Sequence, residues 1–95
     1  MLQSMQIKID GTIKSIKPNK GEKTFGLSYL QEGVNGWIEL IPMPRQKAYM
    51  VVNEEGRLMG LPKNGVATHI LSEALGEDVL DIVGDVLVIQ FDEID

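Results

Sequence analysis

Cysteine is absent from the 95-residue chain and histidine occurs once. The first absence removes disulfides and thiolate chemistry, and the two together leave no Cys/His set for a structural zinc. Long apolar runs are missing as well: none approaches the roughly 20 residues needed to cross a bilayer. The opening Met-Leu-Gln-Ser-Met-Gln lacks the basic and apolar regions of a secretory signal. The expectation is a cytoplasmic protein with no membrane partner. Catalytic signatures are lacking too, with no nucleophile elbow, no phosphate loop and no dinucleotide glycine fingerprint. Positive charge is scarce, nine Lys and Arg against fourteen Asp and Glu, and the net charge of −5 opposes attraction to duplex nucleic acid. Generic nucleic-acid binding is therefore not expected.

What is present is a globular composition, 43% hydrophobic with 24% charged residues, at a length that suits one domain over residues 1–95. A chain of this size buries only about two-thirds of the surface its unfolded form exposes, so the core is modest. The few cations are unevenly placed. Lys8, Lys14, Lys17, Lys20 and Lys23 face only Asp10 and Glu22 in the first 23 residues, while the rest of the chain is strongly acidic. Such a run either blunts an exposed edge strand or forms a local anion-attracting patch.

Met5, Ile7, Ile9 and Ile13 share one parity, which predicts a single half-buried strand bent or bulged at Gly11. A two-residue hairpin turn at Asp10-Gly11 would put Ile13 on the face opposite Ile7 and Ile9. Pro18-Asn19-Lys20-Gly21 ends the strand. Thr24 is the expected N-cap of a short helix carrying Leu27, Leu30 and Val34, with Gly33 as its C-cap. Trp37–Ile41 reads as a strand stopped by Pro42-Met43-Pro44, and 46–52 as its antiparallel neighbour. A second helix from an Asn64 cap to Gly76 presents Val66, Ala67, Ile70, Leu71, Ala74 and Leu75 as one apolar stripe. Asp85–Phe91 contains a Val-Leu-Val-Ile run suited to a central strand buried on both sides, and a short strand is expected over Val79–Val83. The order β-α-β-β-α-β then predicts an α+β domain, with two helices packed on one face of a mostly antiparallel sheet of four to five strands.

His69 is the one side chain suited to proton transfer near neutrality, yet its helical position lies opposite the apolar stripe, as for a surface histidine. Asp78, Asp81, Asp85, Asp92, Glu93 and Asp95 lack calcium-loop spacing and read as solvating charges, so no metal is expected. A polar constellation remains between Asn53 and Thr68. Its motifs are Val52-Asn53-Glu54-Glu55-Gly56, Gly60-Leu61-Pro62-Lys63-Asn64 and Ala67-Thr68, preceded by Gly36-Trp37-Ile38-Glu39 and followed by Ile82-Val83-Gly84-Asp85. Over roughly Trp37 to Val88 this pattern resembles the family called domain of unknown function 3846. The resemblance implies a small accessory protein of mobile-element type, from phages, plasmids or bacteria, and carries no activity of its own.

The residues themselves suggest a ligand site. Asn64 precedes a helix N-terminus, where free N–H groups and the dipole favour an anion, and Lys63 and Arg57 add charge. The alternative is that Asn64 only caps the helix and Asn53 only closes a turn. Trp37 either packs in the core or offers its face to a base or partner. Glu39 and Glu54 are acceptors for a base edge or ribose hydroxyl. The candidate ligand-binding set is Trp37, Glu39, Asn53, Glu54, Arg57, Lys63, Asn64 and Thr68. The function expected is a non-enzymatic, phage-type accessory protein that sequesters a small anionic, nucleotide-like ligand, without a cofactor. Because one chain this small encloses such a ligand poorly, a symmetric homo-oligomer is expected. The alternative is an acidic inhibitor or assembly module acting on a host protein.

Overall fold

The computed structural model describes residues 2–94, so Asp95, grouped above with the acidic residues, lies outside the described residues. In chain order the elements are β1 (Met5–Ile7), β2 (Ile13–Ser15), α1 (Leu27–Val34), β3 (Ile38–Met43), β4 (Ala48–Asn53), α2 (Gly65–Leu75) and β5 (Val86–Gln90). The strands form one antiparallel five-stranded sheet in the order β2-β1-β5-β4-β3, an α+β fold.

β5 lies at the centre because its side chains are apolar on both faces: Val86, Leu87, Val88 and Ile89 are all buried. Alternation sends Val86 and Val88 into a core with Ile7, Met50, Ala67, Leu71 and Ala74 of α2. Leu87 and Ile89 join Val51, Phe25 and Leu30 and Val34 of α1 on the other side. The helices therefore cover opposite faces, which corrects the expectation of two helices on one face. A strand apolar on both sides needs cover on both sides.

The N-terminal strand is also corrected, since β1 and β2 form a hairpin. Its loop has three residues: Gly11 N donates to Lys8 O at 2.9 Å, Lys8 N donates to Thr12 O at 2.9 Å, and Gly11 adopts φ +90°. The additional residue at the left-handed glycine restores parity, so Ile7 pairs directly with Ile13. β2 is the sheet's edge, and Lys14 stands exposed on it, as the edge-blunting reading of the lysines requires.

α1 begins later than expected. Thr24 does not cap it, because Phe25 is drawn into a bridge with Ile94 and Gly26 takes the N-cap position without a side-chain bond. Leu27 is exposed, while Leu30 and Val34 are buried as expected. Gly33 lies inside α1, where a Cβ would stand 2.7 Å from Leu87 Cδ1, and left-handed Asn35 ends the helix. β3 runs through Pro42 to Met43, which is tolerated because β3 is the other edge. α2 has the expected Asn64 and Gly76 caps. The segment Val79–Val83 forms no strand beyond a single bridge of Val83 to Lys63. Its backbone is bonded instead to the start of α2: Ile82 N donates to Thr68 Oγ1 at 2.9 Å and Asn64 N donates to Ile82 O at 2.8 Å. Among the described residues no helix is long and apolar enough to cross a membrane.

Candidate functional site

A cleft of about 520 Å³ opens at the β3 side of the sheet, on the face that α2 covers. β3 contributes Glu39 and Ile41, β4 contributes Val52 and Asn53, and the following loop contributes Glu54, Arg57 and Leu58. The wall opposite is Asp81, Ile82 and Val83, held against α2 by the bonds just described. The fold thus brings Glu39, Asn53, Glu54 and Arg57 of the expected set together. Trp37, Lys63, Asn64 and Thr68 do not line the cleft.

Three of the expected ligand residues are structural instead. Asn64 is fully buried; its Oδ1 accepts from Ala67 N at 3.0 Å, and its Nδ2 donates to Ile7 O at 3.0 Å and Gly84 O at 2.9 Å. Thr68 Oγ1 donates to Asn64 O and accepts from Ile82 N. Asn53 Nδ2 donates to Val34 O at 3.0 Å while its Oδ1 accepts from Glu55 N at 2.8 Å, tying the end of α1 to the turn after β4. A side-chain contact from a ligand to any of the three would compete with bonds that hold the fold.

The charge balance also differs from an anion site. Of the ionisable side chains lining the cleft, Glu39, Glu54 and Asp81 are carboxylates and only Arg57 is a cation. Arg57 Nη2 donates to Asp81 O at 2.6 Å, and Lys63 Nζ lies 3.1 Å from Asp81 Oδ2. Both cations named for an anion are thus turned toward Asp81, although the exposed Lys63 pair is weakly held. His69 lies on the outer side of α2, 3.8 Å from Glu73 and away from the cleft lining.

The segments that build the cleft also carry large apolar side chains that the fold leaves in water. Trp37, just before β3, is 64% exposed, so it is not a core residue; its carbonyl accepts from Glu54 N at 2.8 Å. Leu58 of the cleft wall is 88% exposed and Leu80, adjacent to Asp81, is 77% exposed. Met59 is exposed as well. Reading the sequence for polar motifs missed Leu58, Leu80 and Asp81. The available signal was the apolar Leu58-Met59 pair inside a loop bounded by Gly56 and Gly60, since loops run over the surface.

A family model described as Domain of unknown function (DUF3846) matches residues 6–95. No curated protein and no solved structure matches the chain. The match reaches well beyond the Trp37–Val88 stretch, so the lysine-rich hairpin falls within the family's length. The chain belongs to this family.

Proposed function

We propose that this member of the DUF3846 family is a docking module without catalysis of its own, whose acidic cleft seats a basic, apolar-anchored segment of a partner protein. The observation that carries this reading is the cleft itself: Glu39 and Glu54 form no ion pair among the described residues, while Arg57 bonds the Asp81 carbonyl and Lys63 pairs with the Asp81 carboxylate, and Trp37, Leu58 and Leu80 stand in water on the segments that build it. Carboxylates select lysine and arginine and set the register of docking. Exposed aromatic and aliphatic side chains beside them supply the desolvated anchors that dominate interface energies. A cytoplasmic setting and an accessory role against a host protein belong to the same proposal.

A selection of short random peptides on the immobilised chain tests it. Peptides that pair Lys or Arg with apolar residues should be enriched, and Glu39→Lys with Glu54→Lys should abolish their binding while the fold is retained. Enrichment of acidic peptides, or of none, would sink the proposal. Capture of a nucleotide-like ligand is the second reading, favoured by the cleft volume of about 520 Å³, which suits a small molecule, and by Arg57 in its lining. Calorimetry with linear and cyclic nucleotides decides that reading: binding that survives Glu39→Lys and fails in Arg57→Ala would establish it.

A further inference from the structure

The sheet has two open edges, and they are built differently. β3 pairs only with β4, and since Glu54 N donates to Trp37 O, the odd-numbered residues of β3 face β4 across the ladder. Ile38, Leu40 and Pro42 therefore turn their backbone polar groups outward. Among the described residues no backbone bond reaches those three from beyond the ladder. Ile38 and Leu40 each offer an N–H and a C=O, whereas Pro42 offers only a C=O, so further pairing must stop there. The other edge, β2, spans only Ile13–Ser15 and carries Lys14 between Lys8 and Lys17, which repels a basic strand.

Side chains make the β3 edge selective. Glu39 points to the cleft side of the sheet, while Ile38 and Leu40 alternate to the α1 side. A segment laid along this edge places its alternate side chains beside Glu39 at the acidic cleft and beside Ile38 and Leu40 on the opposite face. We infer that the partner's segment binds by adding a sixth strand to β3 between Ile38 and Pro42, with a lysine or arginine next to Glu39 flanked by apolar residues. This rests on the docking proposal and specifies its geometry. Main-chain bonds to Ile38 and Leu40 supply affinity, and the charge at Glu39 supplies specificity.

The probe is a peptide taken from the random selection, synthesised with N-methyl groups on one or the other alternate set of its backbone nitrogens. In a bound strand only one set faces β3. Methylating that set should weaken binding at least about tenfold, the other set much less. Leu40→Pro removes an outward N–H and no ladder bond, and should weaken binding more than Leu40→Ala, which trims the side chain and keeps the N–H. Equal effects of the two methylated sets, with binding still abolished by Glu39→Lys, would overturn strand addition and leave cleft docking standing. Failure to enrich any Lys- or Arg-containing peptide would overturn both. Sedimentation that showed dimers dissociated by Leu40→Pro would make the occupant a second copy and overturn the partner segment.

Discussion

Asn64 shows how one buried side chain can stand in for a ligand site in the sequence and for a structural joint in the fold. As an N-cap alone it would be replaceable by Asp, which caps helices equally well. Its amide, however, also donates to the carbonyls of Ile7 and Gly84, joining α2 to β1 and to the approach of β5. Asn64→Asp would face an acceptor-only carboxylate toward two carbonyls in a buried site. Urea unfolding should show a loss of roughly 3 kcal/mol or more, larger than for Asn64→Ala. Equal stability of Asn64→Asp and the parent would mean that capping is its whole role. Trp37 makes the converse case, a large side chain held in water at 64% exposure. Trp37→Ala should change unfolding stability by less than about 1 kcal/mol, as surface substitutions do, yet reduce binding of a selected basic peptide severalfold. A loss of several kcal/mol in a melt would return the indole to the core.

At the scale of elements, α2 was legible because its caps, Asn64 and Gly76, and its 3.6-residue stripe agree. The stripe is narrower in the structure, though: Ala67, Leu71 and Ala74 are buried, while Ile70 and Val66 are half-buried and Leu75 is exposed. Leu71→Ala should therefore cost about 2–5 kcal/mol, and Ile70→Ala clearly less, by denaturant midpoints. A greater loss at Ile70 would rotate the helix face. The hairpin was not legible from parity, because two-residue and three-residue loops through Asp10-Gly11 give opposite faces to Ile13 and only the chain's own hydrogen bonds choose between them. Asp10 takes part in that choice: its carboxylate accepts from Thr12 N at 2.8 Å, and bonds to the Thr12 amide and hydroxyl, then the charge of Lys8, hold its pKa below the usual value. A depressed folded-state pKa means that this stabilisation is present above the ordinary carboxylate range and is lost as pH falls through the folded value. Amide exchange at Thr12 and Gly11 should accelerate relative to the core as pH drops below about 4. Unchanged relative protection would detach Asp10 from the turn. Part of the candidate site was legible for a related reason: Glu39, Glu54 and Arg57 lie on β3 and on the loop that follows its paired strand, whereas Asp81 arrives from a segment that looked like another strand.

Across the whole molecule, charged side chains stand at both ends of the sheet, and the β3 end also holds Arg57, Lys63 and the Arg45 and Lys47 of the β3–β4 connection. Lys8 and Lys14 lie on the hairpin at one end, with Lys17 directly after it, and Glu39, Glu54 and Asp81 gather at the β3 end, with β1, β5 and β4 between. A protein with net charge −5 whose cleft holds Glu39, Glu54 and Asp81 draws a basic segment toward that edge from a distance and turns it into register. The same field repels a nucleotide. The two readings of the cleft thus differ in the sign of a rate. Stopped-flow association of a selected basic peptide should slow as ionic strength rises from about 0.05 to 0.5 M, because the Debye length shrinks from roughly 14 to 4 Å and steering is screened. Association of an anionic ligand with the same site should quicken over that range, since the long-range repulsion is what salt removes. Glu39→Gln with Glu54→Gln should flatten the peptide's salt dependence, because it removes two of the carboxylates that steer it and adds no positive charge. A peptide rate that stays constant with salt in the parent chain would mean that apolar anchoring alone drives docking, and the acidic cleft would lose its role in choosing the partner.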